Sequence, residues 1–429
     1  MESENDSERY RVEGSETVNL ELRKQADRIV ASAIAAVLPD AAVVRALEGV
    51  AFPGRIILVA AGKAAWQMAK AAHDYLGSRI DRGIVISKYD HIKGPLGNLI
   101  CHEAGHPVPD ENSFTATAEV LQMVSGLSEQ DTVLFLLSGG GSALFEDPLV
   151  SGTELQDITA QLLACGAEIT EINIIRKRLS NVKGGRFAQR CVPARVYTIV
   201  LSDIIGDPLD MIASGPACPD SSTCAQALQI AQKYNLRLSP EAAACLQRET
   251  PKVLSNVTTC ITGSVRQLCA AAAKEAEKLG YAVCILTDQL NCQAREAGSF
   301  LVSIARTHYG SRKKLAFIAG GETVVKLTGT GKGGRNQELA LAAAAGIDGM
   351  EGVCVFSVGS DGTDGPTDAA GGYVDGTTAE TLRTLGMDLY HVLQNNDAYH
   401  ALQKTGGLII TGPTGTNVND VAVLLMDPD

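Results

Sequence analysis

The 429-residue sequence predicts an α/β protein made of two doubly wound, Rossmann-like domains with mostly parallel sheets. Short apolar runs alternate with stretches of helical apolar spacing along nearly the whole chain. Strands that are separated by helices of this length pair in parallel through right-handed crossovers. Several runs are followed by glycine-rich segments, and open parallel sheets bind ligands at the carboxyl ends of their strands. We therefore expect a ligand site in an interdomain cleft.

The first 250 residues predict a short arm and one complete domain. Residues 1–17 are acidic and polar, which predicts a disordered arm, and residues 18–250 predict the N-terminal Rossmann-like domain. The runs RIILVA and TVLFLL are continuous and apolar, as is typical of strands buried on both faces. The elements expected here are helix 17–47, strand 55–60, helix 62–75, strand 83–87, a helix from about Asp110, strand 132–137, helix 153–167, strand 195–201 and a helical stretch at 222–247.

The second domain is predicted to comprise residues 251–429. The Pro, Ser and Asn residues of segment 250–256 mark the boundary, because they interrupt both helices and strands. The same alternation of helix and strand then resumes. The elements expected here are strands 257–261, 281–286, 315–319, 323–327 and 353–358, and helices 265–279 and 294–308.

Charge and composition exclude several classes of function. The chain has 37 Lys and Arg against 49 Asp and Glu, a net charge of −12, which disfavours nucleic acid as a partner. No apolar run approaches the roughly 18 residues of a membrane-spanning helix, so no membrane partner is expected. Eleven cysteines without a CxxC pair favour a reducing compartment. Together with an N-terminus that resembles neither a signal nor a transit peptide, this predicts a cytoplasmic protein.

Two glycine-containing turns follow the first and third predicted strands. Gly62 and Lys63 lie between strand 55–60 and a helix, where free backbone N–H groups and one ammonium could hold an anion. An exposed lysine in a short loop is the alternative. The second turn follows TVLFLL, and a tight turn alone does not explain three consecutive glycines, whereas a backbone cradle for phosphate or carboxylate does. Its residues are Ser138, Gly139, Gly140, Gly141 and Ser142.

A run of basic residues occupies segment 173–190 of this acidic chain. Arg176 and Lys183 are separated by about two helical turns, which predicts that they share one helix face. One interpretation is a basic wall that concentrates an anionic substrate. The other is a solvated helix face. The sequence favours neither.

Two carboxylates follow strand 195–201. Asp203 and Asp207 could hold a divalent cation or accept a proton from a substrate hydroxyl, although Asp207 also precedes a proline, as at the start of a turn. Asp203 is the stronger candidate because it lies nearest the end of the strand. The aspartate-rich segment 360–368 leaves the same choice open between ligand binding and Asx turns.

The segment 329–338 is the richest in candidate residues. It satisfies the pattern GxGxxG, which by itself is weak evidence for a dinucleotide site. The loop also carries a lysine and an arginine, both suited to phosphate, and a glutamate lies upstream. The position therefore favours polyanion chemistry. The candidates are Glu322, Gly331, Lys332, Gly333, Gly334, Arg335 and Asn336.

Other signatures are absent from the sequence. It contains no GxxxxGK[ST], no HRD or DFG motif and no GxSxG, which excludes P-loop NTPases, protein kinases and typical α/β-hydrolases. His102 and His106 are four residues apart, but on a segment without helical support, so we interpret them as structural.

These segments, in this order, resemble the MOFRL-type (class II) glycerate kinases. The resemblance runs from about residue 20 to the C-terminus, and only segment 218–256 matches loosely. The matching motifs are GKAA at 62–65, HPVPDENS at 106–113, SGGGSAL at 138–144, IRKRLSNVKGGRFA at 175–188, LSDIIGDPLDMIASGP at 201–216, GGETVVKLTGTGKGGRNQELAL at 320–341, SDGTDGPTDAAG at 360–371 and TGTNVND at 414–420.

The resemblance implies ATP-dependent phosphorylation of D-glycerate to 2-phospho-D-glycerate, with Mg²⁺ or a similar ion, in a chain whose C-terminal part is the MOFRL domain. The functional Lys and Arg of the family fall on Lys63 and Arg335, and its acidic residue matches Asp203 most closely. Our hypothesis adds Asp207 or Glu322 as metal ligands. Glycerate and ATP are the expected partners, and the protein is expected to be a monomer or homodimer.

Two other classes of function remain open. An NAD(P)H-dependent hydroxypyruvate or 2-hydroxyacid oxidoreductase fits the α/β alternation and the GxGxxG pattern. Neither the acidic residue expected near the ribose nor a dehydrogenase His–Arg–acid set is convincingly placed. A non-catalytic sugar-phosphate sensor is a third possibility, and the intact charged loops argue against it.

Overall fold

The computed structural model describes residues 20–428 and divides them into two compact units. The first unit comprises residues 36–267 and 415–418. The second unit comprises residues 20–35, 268–414 and 419–428. The α/β class is confirmed. The arm predicted at residues 1–17 lies outside the described residues.

The first unit contains a six-stranded sheet with the strand order β3-β2-β1-β4-β5-β6. Every neighbouring pair is parallel, as the alternation of strands and helices predicts. The strands are β1 (Ile56–Ala61), β2 (Ile80–Lys88), β3 (Leu99–Ala104), β4 (Thr132–Leu137), β5 (Arg195–Leu201) and β6 (Val257–Gly263). The helices are α2 (Pro39–Leu47), α3 (Ala65–Leu76), α4 (Glu111–Met123), α5 (Gly141–Leu144), α6 (Gly152–Ala164), α7 (Ile169–Arg178), α8 (Arg186–Arg190), α9 (Cys224–Lys233) and α10 (Pro240–Leu246).

The central strands are buried on both faces, which explains their continuous apolar sequences. In β1, Ile57 and Val59 belong to one apolar core, whereas Ile56 and Leu58 belong to another. The two cores lie on opposite faces because successive side chains of a strand point in opposite directions. The strand order reverses between β1 and β4. Ligands bind at such a switch point, next to the carboxyl ends of the strands.

The second unit also contains six strands among the described residues, in the order β11-β10-β9-β12-β8-β7. Only β7 and β8 pair in parallel, and the other four pairs are antiparallel. The strands are β7 (Ala282–Leu290), β8 (Leu315–Gly321), β9 (Val353–Gly359), β10 (Gly371–Asp375), β11 (Leu408–Ile409) and β12 (Asp420–Met426). The helices are α11 (Val265–Lys278), which crosses the unit boundary, α12 (Ala294–His308), α13 (Arg335–Ala344), α14 (Thr378–Thr384), α15 (Leu389–Gln394) and α16 (Ala398–Lys404).

The expectation of a mostly parallel second sheet is therefore wrong. The C-terminal strand β12 inserts between β8 and β9 and runs antiparallel to both. The strand expected at 323–327 is also absent, since β8 ends at Gly321 and an irregular segment leads to α13. The boundary at 250–256 lies too early, because β6 pairs with β5 and completes the first sheet.

The helix expected at 17–47 is two helices. Helix α1 (Leu20–Val37) ends at Val37, with Leu38 as the N-cap of α2 and Pro39 as its first residue. Proline disfavours a helical conformation in the residue before it and has no N–H to donate, so the helix breaks there. Among the described residues no single helix could cross a membrane, and α1 and α2 together meet the length and composition criteria only as a pair bent by 54°.

Candidate functional site

The turns after β1 and β4 are bonded to each other at the switch point. The Lys63 N–H donates to the Gly139 carbonyl at 2.8 Å, and the Ala64 N–H donates to Ser138 Oγ at 3.0 Å. Gly62 has a φ of +128°, and a Cβ at this position would overlap Ser138. Only glycine therefore fits at position 62. We call the segment Ser138–Ser142, to which this turn is bonded, the glycine loop.

The glycine loop leaves backbone donors free beside an unpaired cation. Within residues 20–428, the N–H groups of Gly139 and Gly140 donate to no acceptor, and both residues are partly exposed. The Lys63 ammonium likewise forms no hydrogen bond or ion pair with any described residue. Its side chain lies so close that its Cγ would be 3.2 Å from a Cβ at Gly140. Free amides next to an ammonium form a site for an anion.

Asp203 and His106 also contact the glycine loop. A Cβ at Gly139 would overlap the Asp203 carboxylate, and a Cβ at Gly140 would lie 3.0 Å from the His106 ring. Both residues follow strand ends, β5 and β3 respectively. The structure therefore brings Lys63, Asp203 and the glycine loop together.

His106 was interpreted from the sequence as structural, but its ring lies at this site. The pKa of His106 is lowered by burial and then by the positive charges of Lys63 and Lys88 and by His91. The surroundings of the ring are thus electropositive in a chain whose net charge is −12. The signal that could have identified His106 is its place directly after a strand of the same sheet.

Ser142, at the end of the glycine loop, joins a chain of buried polar groups. Its hydroxyl lies 3.2 Å from Ser214 Oγ, which donates to Asn173 Oδ1 at 2.7 Å. Asp207 has a φ of +52°, and its Oδ1 is buried without a hydrogen-bond partner among the described residues. This orphaned oxygen makes Asp207 a better metal-ligand candidate than its turn position alone suggests.

The basic segment forms neither a basic wall nor a solvated face. Helix α7 ends at Arg178, so Lys183 does not share a helix face with Arg176, and that prediction is wrong. Lys183 is fully buried, and its ammonium lies 2.7 Å from Glu146 Oε2. Lys177 is also buried, between Asp210 and Asp220. The sequence could not show this, because the acidic partners are distant in the chain.

In the second unit, Arg335 is held by two carboxylates. It donates through Nε and Nη2 to both oxygens of Asp420, at 2.6 and 3.0 Å, and through Nη1 to Glu322 at 2.8 Å. Burial would lower the pKa of Arg335, but the bond to Asp420 outweighs it and raises the pKa. We call Arg335, Glu322, Asp420 and Asp364 the Arg335 cluster. Glu322, a predicted metal ligand, is thus already paired with a cation.

Asp364 occupies the N-terminus of α13. Its carboxylate accepts the backbone N–H of Asn336 at 3.1 Å and that of Gln337 at 2.9 Å. A Cβ at Gly334 would overlap this carboxylate. Burial raises the pKa of Asp364 to about 6, against the opposing effect of these bonds. The Asn336 side chain is buried and bonded to Ser357, so neither it nor the helix N-terminus is open to a phosphate.

The remaining loop residues pack on the segment between α15 and α16. Gly331 N–H donates to the Asn395 carbonyl, and a Cβ at Gly333 would lie 3.3 Å from Ala398. The Lys332 ammonium lies over the Tyr399 ring, 4.3 Å from its centroid. A dinucleotide fingerprint needs a tight turn directly from a strand into a helix, but β8 ends at Gly321, well before α13. The GxGxxG pattern is therefore no dinucleotide site.

The described residues form no metal cage. No group of three or more His, Cys, Asp or Glu side chains within residues 20–428 could hold a metal ion. Magnesium often uses only one or two carboxylates and takes its other ligands from phosphates and water. The orphaned Asp207 oxygen fits an ion of that kind, whereas Glu322 does not.

Two family models match the chain, one over residues 25–247, described as a domain of unknown function (DUF4147), and the MOFRL family over residues 315–420. A D-glycerate 2-kinase from Thermotoga maritima is 54% identical over 411 residues, covering 94% of this chain and 98% of the relative. A relative from Agrobacterium vitis, named provisionally as a hydroxypyruvate reductase, is 40% identical and covers 87% of this chain and 100% of its own.

The fold has the same relatives. The crystal structure of a glycerate kinase from Thermotoga maritima matches with a TM-score of 0.91 and 52% identity, covering 95% of this chain and 100% of that one. A two-unit α/β fold with a glycine loop at the switch point of its first sheet defines the class of protein. Within that class, the chain belongs to the MOFRL-type glycerate kinase family.

Proposed function

We propose that this protein transfers the γ-phosphoryl group of ATP to the 2-hydroxyl of D-glycerate and forms 2-phospho-D-glycerate. The family membership and the names of the glycerate kinase relatives support this activity. The reaction class also fits the chemistry of the site. Phosphoryl transfer needs little covalent help from the protein and depends on positioning and on neutralisation of charge.

One observation carries the proposal: the Lys63 side chain, which pairs with no described residue, lies against Gly140, and the N–H groups of Gly139 and Gly140 donate to no acceptor among the described residues. Unpaired donors at a switch point are costly unless a ligand or water satisfies them, and a phosphate would accept from all three. We assign the triphosphate to the glycine loop, where Lys63 offsets the charge of the transferring group.

The other candidate residues take roles that follow from their surroundings. Asp203, in contact with the glycine loop, would accept the proton of the glycerate 2-hydroxyl. The hydroxyl oxygen then bonds to the γ-phosphorus of ATP while the bond between that phosphorus and ADP breaks. Asp207 would be the carboxylate ligand of a magnesium ion that arrives with ATP, and the ion would neutralise phosphate charge. Arg335 and Lys332 would contact anionic groups of a substrate.

Phosphorus NMR of the product tests the activity directly. We expect purified protein, ATP, Mg²⁺ and D-glycerate to give ADP and the 2-phosphate ester. A 3-phosphate ester would correct the position of attack. If ATP is not consumed and the nicotinamide absorbance changes on addition of hydroxypyruvate and NADH, the activity is that of the oxidoreductase and the proposed kinase function is wrong.

Replacement of Lys63 tests the observation that carries the proposal. We expect Lys63→Ala to lower kcat/KM by about 100-fold or more, the usual loss when a donor to the developing charge is removed. Lys70→Ala is the matched control, because Lys70 lies on the next helix, is exposed and pairs with Asp74. Wild-type turnover in Lys63→Ala would remove Lys63 from the mechanism.

We also propose a cytoplasmic location. All eleven cysteines are free thiols, and four of them are buried, as small apolar residues are in a reducing compartment. Fractionation of the source cells with an antibody against the protein tests this.

A further inference from the structure

Lys183, which is fully buried, and Arg176, which is partly buried, donate to carbonyls of the glycine loop and of the short helix α5 at its end. Arg176 Nη2 donates to the Ser142 carbonyl at 3.1 Å, and Lys183 Nζ donates to the Phe145 carbonyl at 3.0 Å. Ser142 belongs to α5, and Phe145 follows its last residue. Carbonyls at the end of a helix have no partner within the helix, so both cations satisfy acceptors that would otherwise be buried and unbonded.

A single carboxylate serves both cations. Glu146 is fully buried and lies 2.7 Å from the Lys183 ammonium, and its charge also acts on Arg176. Burial and, to a lesser extent, the positive charge of Arg176 lower the pKa of Lys183 to about 8, although Glu146 opposes both effects. Two cations and one carboxylate leave one excess positive charge beneath the glycine loop.

Stability alone does not explain why two cations and a carboxylate occupy this position. Removing charged groups from water costs several kcal/mol per ion, and buried ion pairs are often replaced by apolar residues without loss of stability. Two apolar side chains would fill the same space without leaving the Arg176 Nε and the Glu146 oxygens short of hydrogen bonds among the described residues. The contacts that apolar residues could not supply are those with the carbonyls of Ser142 and Phe145.

We propose that Arg176 and Lys183, held by Glu146, are positioning residues that fix the glycine loop in its anion-binding conformation. The inference rests on the proposed kinase activity, because it assigns the loop to the triphosphate. It replaces the expectation that both cations touch the substrate. They act on the loop through the carbonyls of Ser142 and Phe145, and the amides of Gly139 and Gly140 bind the anion.

The test compares two arginines of the same helix, Arg176, which is partly buried, and Arg178, which is fully buried. Arg176→Met removes the bond to Ser142, whereas Arg178→Met removes bonds to Ile174 and Ser222, away from the glycine loop. We expect both variants to be destabilised in urea. Only Arg176→Met should lose kcat, by about 100-fold, and Arg176→Lys should recover part of it because lysine can still donate to the Ser142 carbonyl.

Three outcomes would overturn the inference: equal kcat in Arg176→Met and Arg178→Met, no recovery in Arg176→Lys, or wild-type kcat in Arg176→Met. If Arg176→Met does not fold, Glu146→Gln keeps the shape of the side chain and removes the charge that holds both cations. It should lose kcat similarly, and wild-type kcat would refute the inference. A wild-type protein that phosphorylates no glycerate refutes the proposed function instead, so the two failures are distinguishable.

Discussion

Lys63 and Arg335 carry the same charge in very different surroundings. The Lys63 ammonium has no partner among the described residues, whereas Arg335 is bonded to both Asp420 and Glu322. Truncation of Lys63 therefore leaves no buried charge behind. Truncation of Arg335 would leave the largely buried carboxylate of Asp420 without its cationic partner, and an unpaired buried charge is strongly destabilising. The two cations that the sequence identifies as equivalent should differ in their effect on folding.

We expect Arg335→Ala to lower the free energy of unfolding by about 3 kcal/mol, because a buried carboxylate loses its partner. The double variant Arg335→Ala/Asp420→Asn removes that charge and should recover much of the stability. Its kinase activity should stay lost if Arg335 also contacts substrate. Urea denaturation and turnover, measured on both variants, separate the two roles.

Recovery of activity together with stability in the double variant would contradict a role in phosphoryl transfer. Arg335 would then be a structural residue only. Lys63→Ala should show the reverse pattern, a loss of turnover without a comparable loss of stability.

At the scale of elements, the glycine loop depends on a backbone conformation that other residues rarely adopt. Gly140 has a φ of +86°, and a Cβ there would crowd the His106 ring and the Lys63 side chain. Gly166 has a φ of +71° with nothing within 4 Å of its Cβ position. The two glycines thus share the conformational requirement and differ only in their neighbours.

Gly140→Ala and Gly166→Ala should therefore each lose about 1 kcal/mol of the free energy of unfolding from the left-handed conformation, and Gly140→Ala should lose more because its Cβ crowds His106 and Lys63. Only Gly140→Ala should also lose activity, with kcat/KM for ATP falling at least tenfold as Lys63 is displaced. Steady-state kinetics with urea denaturation measures both quantities. An equal loss of kcat/KM in the two variants would show that the loop neighbours do not matter.

The first sheet could be predicted from the sequence, and much of the second could not. Strands such as β1 and β4 are buried on both faces, so local composition alone reveals them. The direction of β12 depends on pairing with β8 and β9, which are distant in the chain and give no local signal. The residues of the site differ in the same respect. Gly62 and the glycine loop directly follow strands, so local sequence identifies them, whereas the pairing of Arg335 with Asp420 joins residues 85 positions apart.

At the scale of the whole molecule, the negative net charge is unevenly placed. The surroundings of His106 are positive, whereas the Arg335 cluster brings three carboxylates to one guanidinium. Burial raises the pKa of Asp420 and raises that of Asp364 to about 6. The stability of the protein should therefore depend on pH in a window where most carboxylates are already ionised.

The sign follows from proton linkage. Between about pH 4 and pH 6, Asp364 is ionised in the unfolded chain but still protonated in the folded one, so the folded state binds more protons. The contribution of Asp364 therefore makes the free energy of unfolding fall as the pH rises through this window. A displacement of about two pKa units corresponds to roughly 3 kcal/mol. Below this window the sign reverses, because bonds from Arg55 lower the pKa of Asp131.

Asp364→Asn should remove this dependence. The variant loses acceptor strength at the start of α13 and should be less stable than wild type at pH 4. The difference should shrink or reverse by pH 7, where the wild type carries a buried charge. Asp131→Asn is the control, since the pKa of Asp131 lies below the window and its destabilisation should stay constant between pH 4.5 and 7. The urea midpoint of unfolding, measured across that pH range, compares the stability of wild type and the two variants. Parallel plots of the midpoint against pH for wild type and Asp364→Asn would show that burial does not disfavour the ionised form of Asp364.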